Sequence, residues 1–165
     1  MIVYIVKNED YSVTYKENSR IDYKVFLKDN SFFEDEFLGM DNKYIASLID
    51  YITADFNYEI AMSEDNVDYK YKYKIESVVT VNEINNTKPL YTKTKELLNV
   101  DEQHALSNEN VKINQTLNLD YNEYNDMIKN FVSIYGLDNV ESTLVLNMYI
   151  DIIGSCDQQS SKDGN

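Results

Sequence analysis

"ITADFNYEIAMSEDNVDYKYKYKIESVVTV", Ile52–Val81, decides the fold. Ile52, Ala54, Phe56, Tyr58, Ile60 and Met62 alternate with Thr53, Asp55, Asn57 and Glu59. Period two is the signature of a half-buried strand. "SEDN" at 63–66 is turn chemistry. Alternation then resumes, with Tyr69, Tyr71, Tyr73, Ile75, Val79 and Val81 on one face and Lys70, Lys72 and Lys74 on the other. Lysines interleaved with aromatics also suit a single-stranded nucleic-acid groove, but a groove needs both on one face. The pleat of a strand separates them. Closing "SEDN" as a four-residue hairpin loop sets Glu59 opposite Lys70, Asn57 opposite Lys72 and Asp55 opposite Lys74. On the other face Ile60 meets Tyr69, Tyr58 meets Tyr71 and Phe56 meets Tyr73. A slip of one residue would exchange the faces. The expectation is a hairpin whose lysines answer acids and whose tyrosines enter the core.

Other segments follow the same rule. Tyr11–Tyr15 and Ile21–Leu27 are rich in β-branched and aromatic residues and are separated by a polar turn, "KENS". "KDNSFFEDEFLGMDN", 28–42, has no period and reads as a long loop with its aromatics tucked onto the core edge. "YIASLIDYI" begins as a helical turn. "LYTKTKELL" suits an edge strand, where lysines discourage pairing with other chains. Residues 99–110 read as an acidic, Asn-rich loop. Val111, Ile113, Gln115, Leu117 and Leu119 alternate with polar residues, as do Leu144, Leu146, Met148, Ile150 and Ile152.

One helix stands out. Asp120 is its N-cap, with Glu123 as capping-box partner. Tyr121, Tyr124, Met127, Ile128, Phe131, Val132 and Tyr135 share one face, and Gly136 takes the left-handed position that ends it. Phe131 is expected in the core. The fold class is mainly β: an antiparallel two-sheet β-sandwich of seven or eight strands, Ig-like in general architecture, with helix 121–135 near the C-terminal end packed across the open end. The domain spans 1–153, and 154–165 is a disordered polar tail or linker.

The 165-residue chain suits one domain with its own core. Its net charge of −14 opposes nucleic acid and anionic lipid. Four glycines, one proline and abundant Asn, Lys, Ile and Tyr fit the codon bias of an AT-rich, bacterial genome. The matches to the glycosylation pattern at Asn85 and Asn114 are what this much asparagine produces by chance. No apolar run approaches the ~18 residues of a membrane span. "MIVYIV" is too short for a signal-peptide core and lacks its basic flank. The expectation is a cytosolic chain or a fragment separated from its anchor.

No residue is assigned a catalytic, cofactor-binding or metal role, and no cofactor is implied. His104, the only histidine, would have to carry any histidine-based metal site or triad alone; in "DEQHAL" it reads as an exposed loop residue. The acids Glu34, Asp35, Glu36, Glu64 and Asp65 lack Ca²⁺-loop spacing and read as solvated loops. Sugar hydrolysis by two carboxylates needs them to face each other across a cleft, which spacing does not reveal. Cys156, the only cysteine, excludes a disulfide within the chain and lies in the polar tail, away from any activating base.

"KYIASLIDYITADFNYEI", "DYKYKYKIESVVTV", "LYTKTKELL" and residues 107–152 occur in an order that resembles a family of bacterial and archaeal membrane proteins known only as a domain of unknown function. Its members share a "wt/yTK" strand and a strand–helix unit that ends in Tyr-Gly-Leu. Here Val111, Ile113, Leu117, Leu119, Asp120, Tyr121, Tyr124, Ile128, Phe131, Tyr135, Gly136 and Leu137 occupy that unit. The resemblance covers residues 20–152 and implies an extracytoplasmic β-rich domain beside membrane helices that this chain lacks. It carries no activity and transfers no functional residue.

The sequence reading is therefore a non-enzymatic extracytoplasmic module of a membrane-anchored bacterial protein, acting in binding, assembly or spacing at the cell surface. Its partner is an unknown protein or cell-envelope component; it binds no nucleic acid, and meets a membrane only through an anchor absent from this chain. The alternatives are a hydrolase or carbohydrate-active domain using carboxylates of loops 29–42 and 99–110, and a cytosolic interaction domain.

Overall fold

The computed structural model describes residues 2–10, 15–62, 67–105 and 109–156. The strands are β1 (Ile2–Asp10), β2 (Tyr15–Leu27), β3 (Phe37–Leu38), β4 (Ile49–Met62), β5 (Val67–Glu83), β6 (Pro89–Ala105), β7 (Val111–Asp120) and β8 (Val140–Cys156). Helix α1 is Tyr121–Tyr135, and a 3₁₀ turn at Ala46–Leu48 leads into β4. Two four-stranded sheets form a β-sandwich, ordered β1-β8-β5-β6 and β3-β2-β4-β7. Every pairing is antiparallel except that of β1, which lies parallel to β8.

The period-two faces are where alternation puts them. Ile52, Ala54, Phe56, Tyr58 and Ile60 of β4 are buried, as are Tyr69, Ile75, Val79 and Val81 of β5. From β8, Leu144, Leu146, Met148, Ile150 and Ile152 complete the core. The hairpin is not formed. β4 pairs with β2 and β7, and β5 pairs with β6 and β8 in the other sheet. Glu59 lies across from Asn18 and Lys112, and Lys70 across from His104 and Ile153. Alternation fixes which face of a strand turns inward but says nothing of its neighbour. The two apolar faces meet across the sandwich instead of lying side by side. "SEDN" itself lies outside the described residues. The lysines do find acids, though different ones: Lys70 with Glu102, Lys72 with Asp151 and Lys74 with Glu76.

Four boundaries also change. "KENS" is strand, not turn: β2 runs without a break along β4 from Tyr15 to Phe26. Residues 99–105 belong to β6, not to a loop. β6 carries an extra residue at three register shifts against β5, and each bulge resets the phase of its alternation. β8 runs to Cys156, three residues past the expected boundary, so Cys156 ends a strand; the tail from 157 lies outside the described residues. Ile2–Val6 open β1 (Ile2–Asp10), which shows no alternation to betray it.

Phe131 is not in the core. It is half-buried and stacks on Tyr91, ring centroids 4.6 Å apart, and tilts against Tyr135. Phe56, fully buried in β4, is the true core phenylalanine. Phe56→Ala is expected to cost about 3–5 kcal/mol in urea unfolding, and Phe131→Ala less by at least ~1 kcal/mol. Equal losses would return Phe131 to the core.

Candidate functional site

One end of the sandwich gathers the irregular parts of the chain. The end of β2, the start of β4 and the end of β7 meet there, by the pairs Leu27–Ile49 and Tyr51–Asp120. The end of β5 and the start of β8 meet there too, at Glu83–Val140. Segment 28–48, the 84–88 turn and α1 all emerge at this end.

The helix is fastened across it from both sheets. The Asp120 carboxylate accepts from the Asn122 backbone N–H at 2.9 Å, the expected N-cap. Gly136 is left-handed (φ 58°), its N–H bonding to Ser133 and the Leu137 N–H to Val132, a complete Schellman end. Glu123 departs from the capping-box expectation: it pairs with Lys95 of β6 at 2.6 Å. A bulge at Asp50 turns that backbone outward, and the Asn122 amide donates to its carbonyl at 3.4 Å. The central fastening is Tyr124, 4% exposed, whose hydroxyl bonds to Ser77 Oγ of β5 at 2.9 Å. Ser77 is fully buried in the core.

The phenylalanines of 28–42 do not tuck onto the core edge. Asn30 Oδ1 accepts from the backbone N–H groups of Phe32 and Phe33 at 3.0 and 2.8 Å, closing a tight Asx turn. Phe32 is left 82% exposed. Phe37 leans on Phe26, which stacks on Tyr51 with centroids 4.4 Å apart on the outer face of the sheet. Lys24 Nζ lies 4.7 Å from the Phe37 ring centre, in a cation–π contact. The return of the segment is held by Tyr44, whose hydroxyl donates to the Gly39 carbonyl at 2.6 Å.

Between this segment and α1 opens a cavity of about 190 Å³. Val25, Ile52 and Leu144 form its apolar lining, and Tyr44, Tyr121 and Tyr124 bring phenols to it. All three phenols are pushed above the ordinary tyrosine value, first by burial; for Tyr44 the hydroxyl of Tyr23 adds to it. The cavity can take an apolar group and offer it phenolic hydroxyls, but it presents no carboxylate or imidazole to move a proton.

The rim is apolar. Among the residues whose side chains are described (16–61, 68–105 and 109–154), ten of the eleven well-exposed large apolar side chains belong to this end: Phe32, Phe33, Phe37, Met40, Ile45 and Tyr51 on one side, Ile84, Leu90, Ile134 and Tyr135 on the other. Ile153 alone lies elsewhere. Around them, residues 28–50, 83–90 and 120–141 carry twelve carboxylates against four lysines.

The residues weighed in sequence are scattered by contrast. Glu34, Asp35 and Glu36 are exposed on this rim. His104 is exposed on β6 and lies 3.9 Å from Glu102. Glu64 and Asp65 lie outside the described residues. Ala105 pairs with Tyr69 near the start of β5, so β6 carries the carboxylates of 99–105 away from loop 29–42. The two acidic groups of the hydrolase alternative do not converge. Among the described residues no group of three His, Cys, Asp or Glu side chains is placed to hold a metal, and no helix is long and apolar enough to cross a membrane.

No family model, curated protein or solved structure matches the chain, so the reading of this end rests on its own residues.

The phenols give a titration to check. Tyr44, Tyr73, Tyr121 and Tyr124 hold their protons above 10.0, the ordinary value at which unfolded tyrosines ionise. Stability owed to them is intact below pH 10 and is lost as the pH climbs through the raised folded values. Absorbance at 295 nm should show a group of tyrosines that ionises above pH 10, together with unfolding. A single transition complete near pH 10 in folded protein would refute the burial of these hydroxyls.

Proposed function

We propose that the protein is a non-enzymatic binding module whose helix end docks a partner protein, within the extracytoplasmic part of a membrane-anchored bacterial protein. One observation carries the docking reading: among the side chains described, nearly all the exposed large apolar residues lie at a single end. Scattered apolar side chains are normal on a soluble domain, whereas a concentration of them marks an interaction site. The partly open cavity beside the patch adds a socket for an anchoring side chain, as a hot-spot contact requires. The separation of the acidic groups of loops 29–42 and 99–105 favours binding over hydrolysis. The placement outside the cytoplasm is supported by the resemblance of residues 20–152 to the membrane-protein family and by their strand–helix–strand order.

The docking reading is tested by site-specific photo-crosslinking in the native cells. Benzoyl-phenylalanine at position 32, 37 or 134 should give the same discrete protein adduct, and at 153 none. Adducts of equal yield from all four positions, or from 153 alone, would overturn it.

A further inference from the structure

We infer that the partner presents a basic, apolar protein segment, with leucine- or phenylalanine-like anchors flanked by lysine or arginine. The inference rests on the docking reading above and adds the chemistry of the occupant. Apolar area alone would accept several occupants, and the charge around it separates them.

The three segments that form this end hold twelve carboxylates and four lysines, a net of −8 out of the −14 of the whole chain. Asp29, Glu34, Asp35, Glu36 and Asp41 are all exposed beside Phe32 and Phe37. Asp126 and Asp138 are exposed beside Ile134 and Tyr135. An anionic bilayer or a nucleic acid would meet a like-charged rim around the apolar patch. A second copy of the chain, docked through the same end, would bring two such rims together. A cationic segment meets the opposite: its apolar anchors face Phe32, Phe37 and the cavity, and its flanking charges face the acids. Lys24 lies outside these three segments, with its Nζ 4.7 Å from the Phe37 ring centre, and one such cation leaves the excess of carboxylates standing.

The probe is an 18-residue Lys/Leu amphipathic peptide, with a Glu/Leu peptide of the same apolar pattern as its counterpart. Binding is followed by fluorescence anisotropy, with circular dichroism melting of every variant to confirm folding. The Lys/Leu peptide is expected to bind more tightly than the Glu/Leu peptide by at least about tenfold, and F32S/F37S to weaken it by about tenfold or more. E34Q/D35Q/E36Q, which alters only exposed carboxylates, should weaken it by roughly tenfold and flatten its salt dependence. D101N/E102Q on β6 and I153S are expected to leave it unchanged. Equal binding of both peptides, lost in F32S/F37S, would overturn the basic occupant while leaving the docking surface standing. Binding that falls as much with D101N/E102Q as with E34Q/D35Q/E36Q would reduce it to bulk charge and overturn the inference. Insensitivity to F32S/F37S, or no binding of either peptide, would overturn both readings. Tight association with vesicles of phosphatidylglycerol would overturn the charge argument by itself.

Discussion

The ladder between β5 and β8 is the constraint on which the rest depends. Seventeen residue pairs run from Val67–Cys156 to Glu83–Val140 without a register shift. That register sets Tyr73 beside Ile150, Ile75 beside Met148 and Val79 beside Leu144 on the inner face. Because β5 is claimed on both edges by β8 and β6, β4 must find its neighbours in β2 and β7, and two sheets result. The same register puts Ser77 beside Leu146 in an otherwise apolar row. A buried hydroxyl there needs a partner, and the hydroxyl of Tyr124 supplies it. The ladder thus places one of the polar contacts that fasten the helix.

Much of this was legible in the residues. Alternation identified the inward faces of β4, β5, β7 and β8, and Asp120 and Gly136 marked the helix ends. Neighbours were not legible, because a strand with one apolar face satisfies its pattern equally beside its partner or across the core from it. β6 was half-hidden for a different reason. Its three bulges place Leu97 and Leu98, adjacent in sequence, both half-buried, so no period survives beyond Leu98. β1, "IVYIVKNED", and the "KENS" part of β2 are held by backbone pairing to long neighbours, which leaves little trace in side-chain pattern.

The helix end was less legible than the fold, and geometry explains why. A 15-residue helix is about 22 Å long, while packed sheets stand about 10 Å apart. A helix laid across that end covers the core with only part of its length. Tyr121, Tyr124 and Ile128 line the cavity, whereas Ile134 and Tyr135 overhang and are each 67% exposed. The apolar stripe in the sequence is continuous through both halves and does not announce where the core stops. Phe32 and Phe33 mislead in the same way: nothing in "SFFEDEF" distinguishes an aromatic that folds back from one held outward by the Asn30 turn.

Apolar exposure and acidity at one end belong to one physical solution. An exposed aromatic patch invites association with any apolar surface, its own copy included. Surrounding it with like charge raises the free energy of every encounter between two such ends and of every approach to an anionic surface. The same charge lowers the free energy of approach for a cationic segment and acts before contact, over roughly 8 Å at physiological salt. The patch then supplies short-range affinity once the rim has admitted a partner. Selectivity by repulsion needs no motif and no recognisable ligand residues. Segments 28–50, 83–90 and 120–141 stand apart in the sequence, so this pairing of apolar and acidic surface exists only where the fold has brought them to one end.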